Sequence, residues 1–169
     1  MAEGEAMTRE ALFREVCECW QRTEDAIAAL GEHFETQAND GWTVGDLFRH
    51  LTAASHIMSG RIRALLSTGE LPFPGDDGNA AGVAKFASLD YKMLRIELNT
   101  AHGVVWMYIQ RFSDEDLAQT FAIFGEEHTL GEVIRQRVLH EAWHVNEALE
   151  ATGLPESAIV PVETAHRWA

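Results

Sequence analysis

Four long segments of the chain repeat apolar residues at the three- and four-residue spacing of an amphipathic α-helix. None of them alternates apolar and polar residues as a half-buried strand does. The spacing predicts helices over residues 8–34, 43–67, 88–112 and 129–151. Four such helices bury their apolar faces most simply against one another. We therefore predict an all-α fold, an up-down four-helix bundle.

The starts of three helices carry recognisable capping residues. Thr43 and Thr129 are each followed three residues later by an acidic residue, Asp46 and Glu132, in the pattern of a capping box. Ser88 is the predicted cap of the third helix. These signals place the helix starts independently of the apolar spacing.

The length of 169 residues fits a single domain spanning residues 1–169. Its predicted core covers about residues 8–153, and the C-terminal tail 154–169 has little pattern. Proline and glycine interrupt residues 69–87, so we predict an irregular connection that crosses one end of the bundle and covers a pocket.

Charge and hydropathy exclude several classes of partner. The 27 acidic side chains outnumber the 13 Lys and Arg, and the resulting net charge of −14 disfavours binding to nucleic acid. No apolar stretch approaches the roughly 20 residues of a membrane span, so no membrane association is expected. The N-terminal residues have no basic region followed by an apolar one, which predicts a cytoplasmic protein.

Two histidines near the C-terminus, His140 and His144, are four residues apart in a helical segment. Four residues correspond to about 400° of helix rotation, so both imidazoles lie on one face and can hold one metal ion. A histidine pair on the helix surface or in the core is the alternative. Residues 140–144 also match the HExxH signature of zinc metalloproteases, in which Glu141 would be the general base. Glu163, 19 residues after His144, would then be the third ligand.

A third histidine, His50, lies near the start of the second predicted helix, in the segment 42–51 (WTVGDLFRHL). This segment, together with residues 129–134 leading into 138–144, resembles the DinB-like family of four-helix metalloproteins. In that family a Trp-Ser/Thr-x-x-Asp-x-x-x-His motif supplies one metal-binding histidine and an HxxxH pair on the last long helix supplies two. The resemblance covers about residues 8–153. It implies that His50, His140 and His144 bind one divalent metal ion inside one end of the bundle.

Three neutral imidazoles leave at least one coordination position open, as in catalytic zinc sites. Zinc or nickel suits imidazole ligands best. The family includes thiol-dependent isomerases and S-transferases, and the resemblance therefore implies a low-molecular-weight thiol as cosubstrate. We expect the metal site to activate this thiol, or water, for attack on a small electrophile, in a transferase, isomerase or hydrolase. The alternative is a non-catalytic metal-binding or small-molecule-binding protein in stress response.

Side chains near the histidines have two interpretations each. Glu141 is either a base acting on bound water or a solvated glutamate. Arg137, seven residues before His144, either pairs with a carboxylate of the thiol or substrate or forms an ordinary ion pair. Asp46 either holds the second nitrogen of His50 or only caps the helix. We name Glu141 and Arg137 as the candidate catalytic residues.

Other residues bear on the pocket and on assembly. Trp42, Trp106 and Trp143 either line a pocket or belong to the core. His56, about 240° around the helix from His50, should lie outside the metal site. The family and the apolar residues on two sides of the second helix predict a homodimer. These apolar residues are Ile57, Ile62, Leu65 and Leu66.

Overall fold

The computed structural model describes residues 7–39, 41–72 and 75–154. Four long helices form the bundle: α1 (Arg9–Ala29), α2 (Val44–Thr68), α4 (Tyr91–Ile109) and α6 (Leu130–Ala151). Shorter elements are a 3₁₀ helix (Gly31–His33), α3 (Gly75–Lys85), α5 (Asp114–Leu117), β1 (Thr120–Ile123) and β2 (Glu126–Thr129). The predicted all-α bundle is confirmed. No helix within the described ranges has the length and hydropathy needed to cross a membrane.

Both predicted capping boxes are present. Thr43 Oγ1 accepts from the backbone N–H of Asp46 at 3.2 Å, and the Asp46 carboxylate accepts from the backbone N–H of Thr43 at 3.1 Å. Thr129 and Glu132 make the same reciprocal pair at the start of α6. Each pair satisfies backbone donors that a helix N-terminus otherwise leaves without an acceptor.

Two predicted helix boundaries were wrong, the end of α1 and the start of α4. The first helix ends at Ala29 and the chain tightens into the 3₁₀ helix, so it does not continue regularly to Phe34. The cap of α4 is Asp90 and not Ser88: the Asp90 carboxylate accepts from Met93 N at 2.9 Å. The backbone N–H groups of Phe86, Ala87 and Leu89 each donate to the carbonyl three residues earlier. The chain is therefore still in these turns up to Leu89, and Asp90 is the first residue in position to cap α4.

The prediction that residues 69–87 have no regular structure was also wrong, because α3 lies within them. Its glycines lower helix propensity, but packing against α2 outweighs that preference. A Cβ built on Gly82 would lie 2.8 Å from Ala53 Cβ, so glycine is what allows α3 to approach α2 this closely.

A two-stranded antiparallel hairpin precedes α6, although no strand was predicted. Thr120 pairs with Thr129 and Ile123 pairs with Glu126. The connecting residues Phe124 and Gly125 both have positive φ, 52° and 84°, as the twist of a two-residue hairpin turn requires. Strands of four residues are too short to reveal alternation in the sequence.

The core divides into two clusters along the bundle. One packs residues from the C-terminal half of α2 and the N-terminal half of α6 with α1 and α4. The other packs the N-terminal half of α2 and the C-terminal end of α6, with Phe48 fully buried. On α6, His140 and His144 lie close to the point where the first cluster ends at Ala142 and the second begins at Val145, whereas His50 lies among second-cluster residues on α2.

The four apolar residues behind the homodimer prediction do not form one exposed surface. Ile62 and Leu65 are fully buried in the core, whereas Ile57 and Leu66 are 43% and 41% exposed. Because α2 packs against α3, α4 and α6, the core itself needs apolar residues on more than one side of this helix, and the sequence does not reveal this packing.

Candidate metal centre

The structure brings together the three predicted histidines. His50, in the second turn of α2, faces His140 and His144 on α6, and one nitrogen from each ring lies within 4.8 Å of the other two. The Nε2 atoms of His50 and His140 are 3.4 Å apart. His56 is outside this cluster, as predicted, and its Nε2 lies 3.2 Å from Glu97 Oε2.

The spacing of the nitrogens fits one divalent ion. Two imidazole nitrogens at about 2.1 Å from a tetrahedral Zn²⁺ are about 3.4 Å apart, which is the separation of the His50 and His140 Nε2 atoms. His50 and His144 are 5% and 6% exposed, so these two side chains are largely shielded from bulk water. Three nitrogen donors of this kind suit zinc, nickel, copper or iron better than magnesium or calcium.

The surroundings keep the imidazoles of His50 and His140 neutral, the form that binds metal. Burial, followed by His144 and Arg137, lowers the pKa of His50 from its ordinary 6.5 to about 3. Burial and the charge of Arg137 also lower the pKa of His140 well below its ordinary value. The lone pairs are therefore not lost to protonation at neutral pH.

His144 is oriented by a carboxylate that the sequence analysis missed. Its Nδ1 lies 2.9 Å from Glu147 Oε2, and the other oxygen of Glu147 accepts from Asn39 Nδ2 at 2.6 Å. A proton held on Nδ1 places the lone pair of the ring on Nε2, the usual arrangement of a metal-binding histidine. Glu147 is three residues after His144, and this spacing was the available signal.

Asp46 does not perform this role for His50. Its carboxylate is occupied by the cap of α2 and by Arg49, whose Nη1 donates to Oδ1 at 2.9 Å. Backbone and side-chain donors outweigh burial and lower the pKa of Asp46. The capping interpretation is the one that the geometry supports.

Arg137 lies directly against the histidine cluster. Its Nη1 lies in hydrogen-bond contact with His140 Nδ1, and Nη2 donates to Leu51 O at 3.2 Å and lies 3.4 Å from Ser55 Oγ. In the described part of the chain, its buried Nε has no hydrogen-bond partner. A guanidinium only donates, whereas His140 bound to metal through Nε2 carries its proton on Nδ1. Ligation through Nε2 therefore requires Arg137 to give up this contact.

The structure buries Glu141 between side chains of α1 and α4. It is 1% exposed and not solvated, and it accepts from Thr23 Oγ1 at 2.7 Å and from His102 Nε2 at 3.0 Å. Burial acts to raise its pKa, but His102, Arg137 and Thr23 together lower it. Helical spacing identified its neighbours along α6, but it gave no indication of a partner on α4.

A cavity of about 850 Å³ opens beside the histidines. Trp42 and Trp143 line it, whereas Trp106 packs on Phe13 with ring centroids 4.1 Å apart. Glu141 is not among the described residues that line the cavity. Glu163, the third ligand of the metalloprotease alternative, lies outside the described residues.

The fold and this site define a class: a helix bundle in which two helices place three histidines around one position in the wall of an interior cavity. The sequence model of the DinB superfamily matches residues 15–148. The chain belongs to the DinB superfamily.

Two solved structures have a similar fold: the mycothiol-dependent maleylpyruvate isomerase and a histidine-to-alanine mutant of it. Each matches with a TM-score of 0.69 and 13% sequence identity, over 94% of this chain and 66% of that chain. This chain thus spans just under two thirds of the isomerase. None of the curated protein sequences matches it.

Proposed function

We propose that the chain is an enzyme that binds one divalent metal ion through His50, His140 and His144. These three residues would hold the ion where it would lower the pKa of a low-molecular-weight thiol or water, for attack on a small electrophile. The observation that carries this proposal is the convergence of three imidazoles at the wall of a cavity of about 850 Å³. A purely structural metal site would have four protein ligands and no adjoining space for a substrate.

A metal held by three nitrogens retains an open position and lowers the pKa of a thiol or water bound there. Zinc and nickel are our proposed metals because both accept imidazole ligands readily. The similar fold of a mycothiol-dependent isomerase supports a thiol as cosubstrate. Transfer, isomerisation and hydrolysis all begin with such an attack.

We assign different roles to the two candidate catalytic residues. Arg137 lines the cavity, and we propose that it contacts an anionic group of the thiol or substrate. Glu141 is proposed as a positioning residue, because it influences Arg137 by charge while its own oxygens bond to Thr23 and His102. Its burial and its partners argue against a base in a metalloprotease.

Cobalt(II) substitution tests the proposal directly. Protein loaded with Co²⁺ should show the intense visible bands of a low-symmetry site, and added 2-mercaptoethanol should produce a thiolate-to-cobalt charge-transfer band. His144→Ala should abolish both signals, and His56→Ala should retain them. Cobalt bands without any response to thiols or to small electrophiles would instead favour a non-catalytic binding protein.

We also propose a homodimer, as the family resemblance suggests, with the exposed Leu66 on α2 as a candidate contact residue. Sedimentation equilibrium at micromolar concentration should give twice the mass of the chain. A monomer under these conditions would contradict the proposal.

A further inference from the structure

Arg137 and Glu141 are four residues apart on α6, which places them on the same side of the helix. Both line one small interior cavity. Side chains of an α-helix lean toward its N-terminus, so Glu141 leans toward the turn that carries Arg137. Opposite charges that are partly removed from water attract more strongly than exposed ones. A direct ion pair between these two side chains is therefore the expected arrangement.

The structure has a different arrangement. Glu141 accepts from Thr23 and His102. In the described part of the chain, Arg137 is not among its hydrogen-bond or ion-pair partners. The guanidinium is directed instead at the histidine cluster, through its contact with His140. The buried Nε of Arg137 has no hydrogen-bond partner among the described residues, although a carboxylate belongs to the next turn of the same helix. The fold thus keeps apart two charges that their spacing would pair.

Thr23 on α1 and His102 on α4 each engage one oxygen of Glu141. Thr23 Oγ1 lies 2.7 Å from Oε1, and His102 Nε2 lies 3.0 Å from Oε2. A carboxylate only accepts, so His102 donates from Nε2. The one hydroxyl hydrogen of Thr23 favours this charged oxygen over Cys19 O, which is 3.2 Å away. Trp20 stacks on His102 with ring centroids 4.3 Å apart and holds the plane of its ring.

We propose that Thr23 and His102 are positioning residues that hold the Glu141 carboxylate away from Arg137 and so leave the guanidinium directed at the histidine cluster. Without these donors, Glu141 would turn to Arg137 and draw the guanidinium away from the large cavity. The value of this arrangement rests on the proposed function, in which Arg137 contacts an anionic group of the thiol or substrate. The inference adds to that function two residues from α1 and α4, the long helices that supply none of the three histidines.

A double-mutant cycle between Arg137 and Glu141 tests the separation without any metal. Urea unfolding of the chelator-treated full chain is measured for Arg137→Gln, Glu141→Gln and the double variant. The cycle is then repeated with Thr23→Val, which keeps the side-chain shape and removes the donor. The coupling, expressed as a ratio of unfolding equilibrium constants, should rise about tenfold with Thr23→Val because a direct ion pair forms.

Thr52→Val is the matched control for this cycle. Thr52 is also fully buried, but its hydroxyl donates to Phe48 O and does not contact Glu141. The coupling between Arg137 and Glu141 should therefore stay at the wild-type value in this background. A coupling that is unchanged by Thr23→Val, or raised equally by both substitutions, would overturn the proposal.

Thiol selectivity of the cobalt-loaded protein distinguishes positioning from a purely structural role. The probes are 3-mercaptopropionate and 2-mercaptoethanol, because only the first carries a carboxylate. The wild type should bind 3-mercaptopropionate about tenfold more tightly, measured by the charge-transfer band, and Arg137→Gln should lose this preference. His102→Phe, which keeps a ring against Trp20 but has no donor, should lose it as well.

His102→Gln retains a donor and should restore most of the preference, which a loss of packing alone would not allow. A wild-type preference in His102→Phe would overturn the proposal. A wild type that takes up no Co²⁺, or that does not distinguish the two thiols, would refute the proposed function. The metal-free cycle would still decide whether Thr23 holds the carboxylate away from Arg137.

Discussion

The neutral state of His50 should make the metal-free protein unusually sensitive to mild acid. The folded chain keeps the pKa of His50 at about 3, chiefly through burial, whereas the unfolded chain has the ordinary value of 6.5. Between these values the unfolded state binds a proton that the folded state does not. Stability therefore falls as the pH drops below 6.5 and stops falling near pH 3.

The size of the effect follows from the two pKa values. At pH 5, protonation of His50 in the unfolded chain raises the unfolding equilibrium constant by a factor of about 30, because the folded chain binds almost no proton there. This factor corresponds to about 2 kcal/mol of lost unfolding free energy relative to neutral pH. The lowered pKa of His140 adds a loss of the same sign.

Urea denaturation at pH 7 and pH 5 in the presence of a chelator measures this loss. The control is His50→Gln, which retains a polar side chain but cannot titrate. The wild type should lose about 2 kcal/mol more than the variant between the two pH values. Other groups, including the many carboxylates, contribute to both proteins and cancel in the comparison. Equal losses would show that the fold does not hold His50 neutral, and the argument for a metal-ready cluster would fail.

Three further perturbations test other parts of the site. Glu147→Ala should weaken Zn²⁺ binding by about 10- to 100-fold, measured in competition with a chromophoric chelator. The control Glu150→Ala, at an exposed position of the same helix, should leave Zn²⁺ affinity unchanged. Equal Zn²⁺ affinities of the two variants would contradict the orienting role of Glu147. Glu141→Gln should lower the free energy of unfolding by about 2 to 3 kcal/mol, because it replaces the buried carboxylate that contacts Thr23 and His102 with an amide. A loss under about 1 kcal/mol would show that these two contacts matter little. Gly82→Ala should push α3 away from α2 and speed amide hydrogen exchange across α3. The control Gly103→Ala, whose Cβ would meet nothing within 4 Å, should instead stabilise α4 by about 0.5 to 1 kcal/mol. Unchanged exchange in α3 of the Gly82 variant would refute the close approach of the two helices.

Local signals in the sequence predicted the four long helices and the histidine pair on the last of them. Capping residues such as Thr43 and Thr129 act within three residues, so their effect can be read directly. The four-residue spacing of His140 and His144 likewise fixes a shared helix face. His50 required the family resemblance, because no spacing rule connects residues on different helices.

The features that were missed depend on contacts between distant residues. The helix α3 depends on Gly82 packing against Ala53, which outweighs the poor helix propensity of its glycines. Glu141 reaches His102, 39 residues away on another helix, and is buried, whereas the sequence left it as either a base on bound water or a solvated side chain. Such pairs are set by how the helices pack, and the sequence of each helix alone does not contain that information.

Metal content measured by elemental analysis tests the central claim most directly. The purified wild type, offered zinc or nickel and then dialysed, should retain about one ion per chain. Single alanine variants of His50, His140 and His144 should each lose it, whereas His56→Ala should retain it. A wild type that stays empty, or a metal content that survives the loss of any one of the three histidines, would contradict a metal centre formed by this cluster.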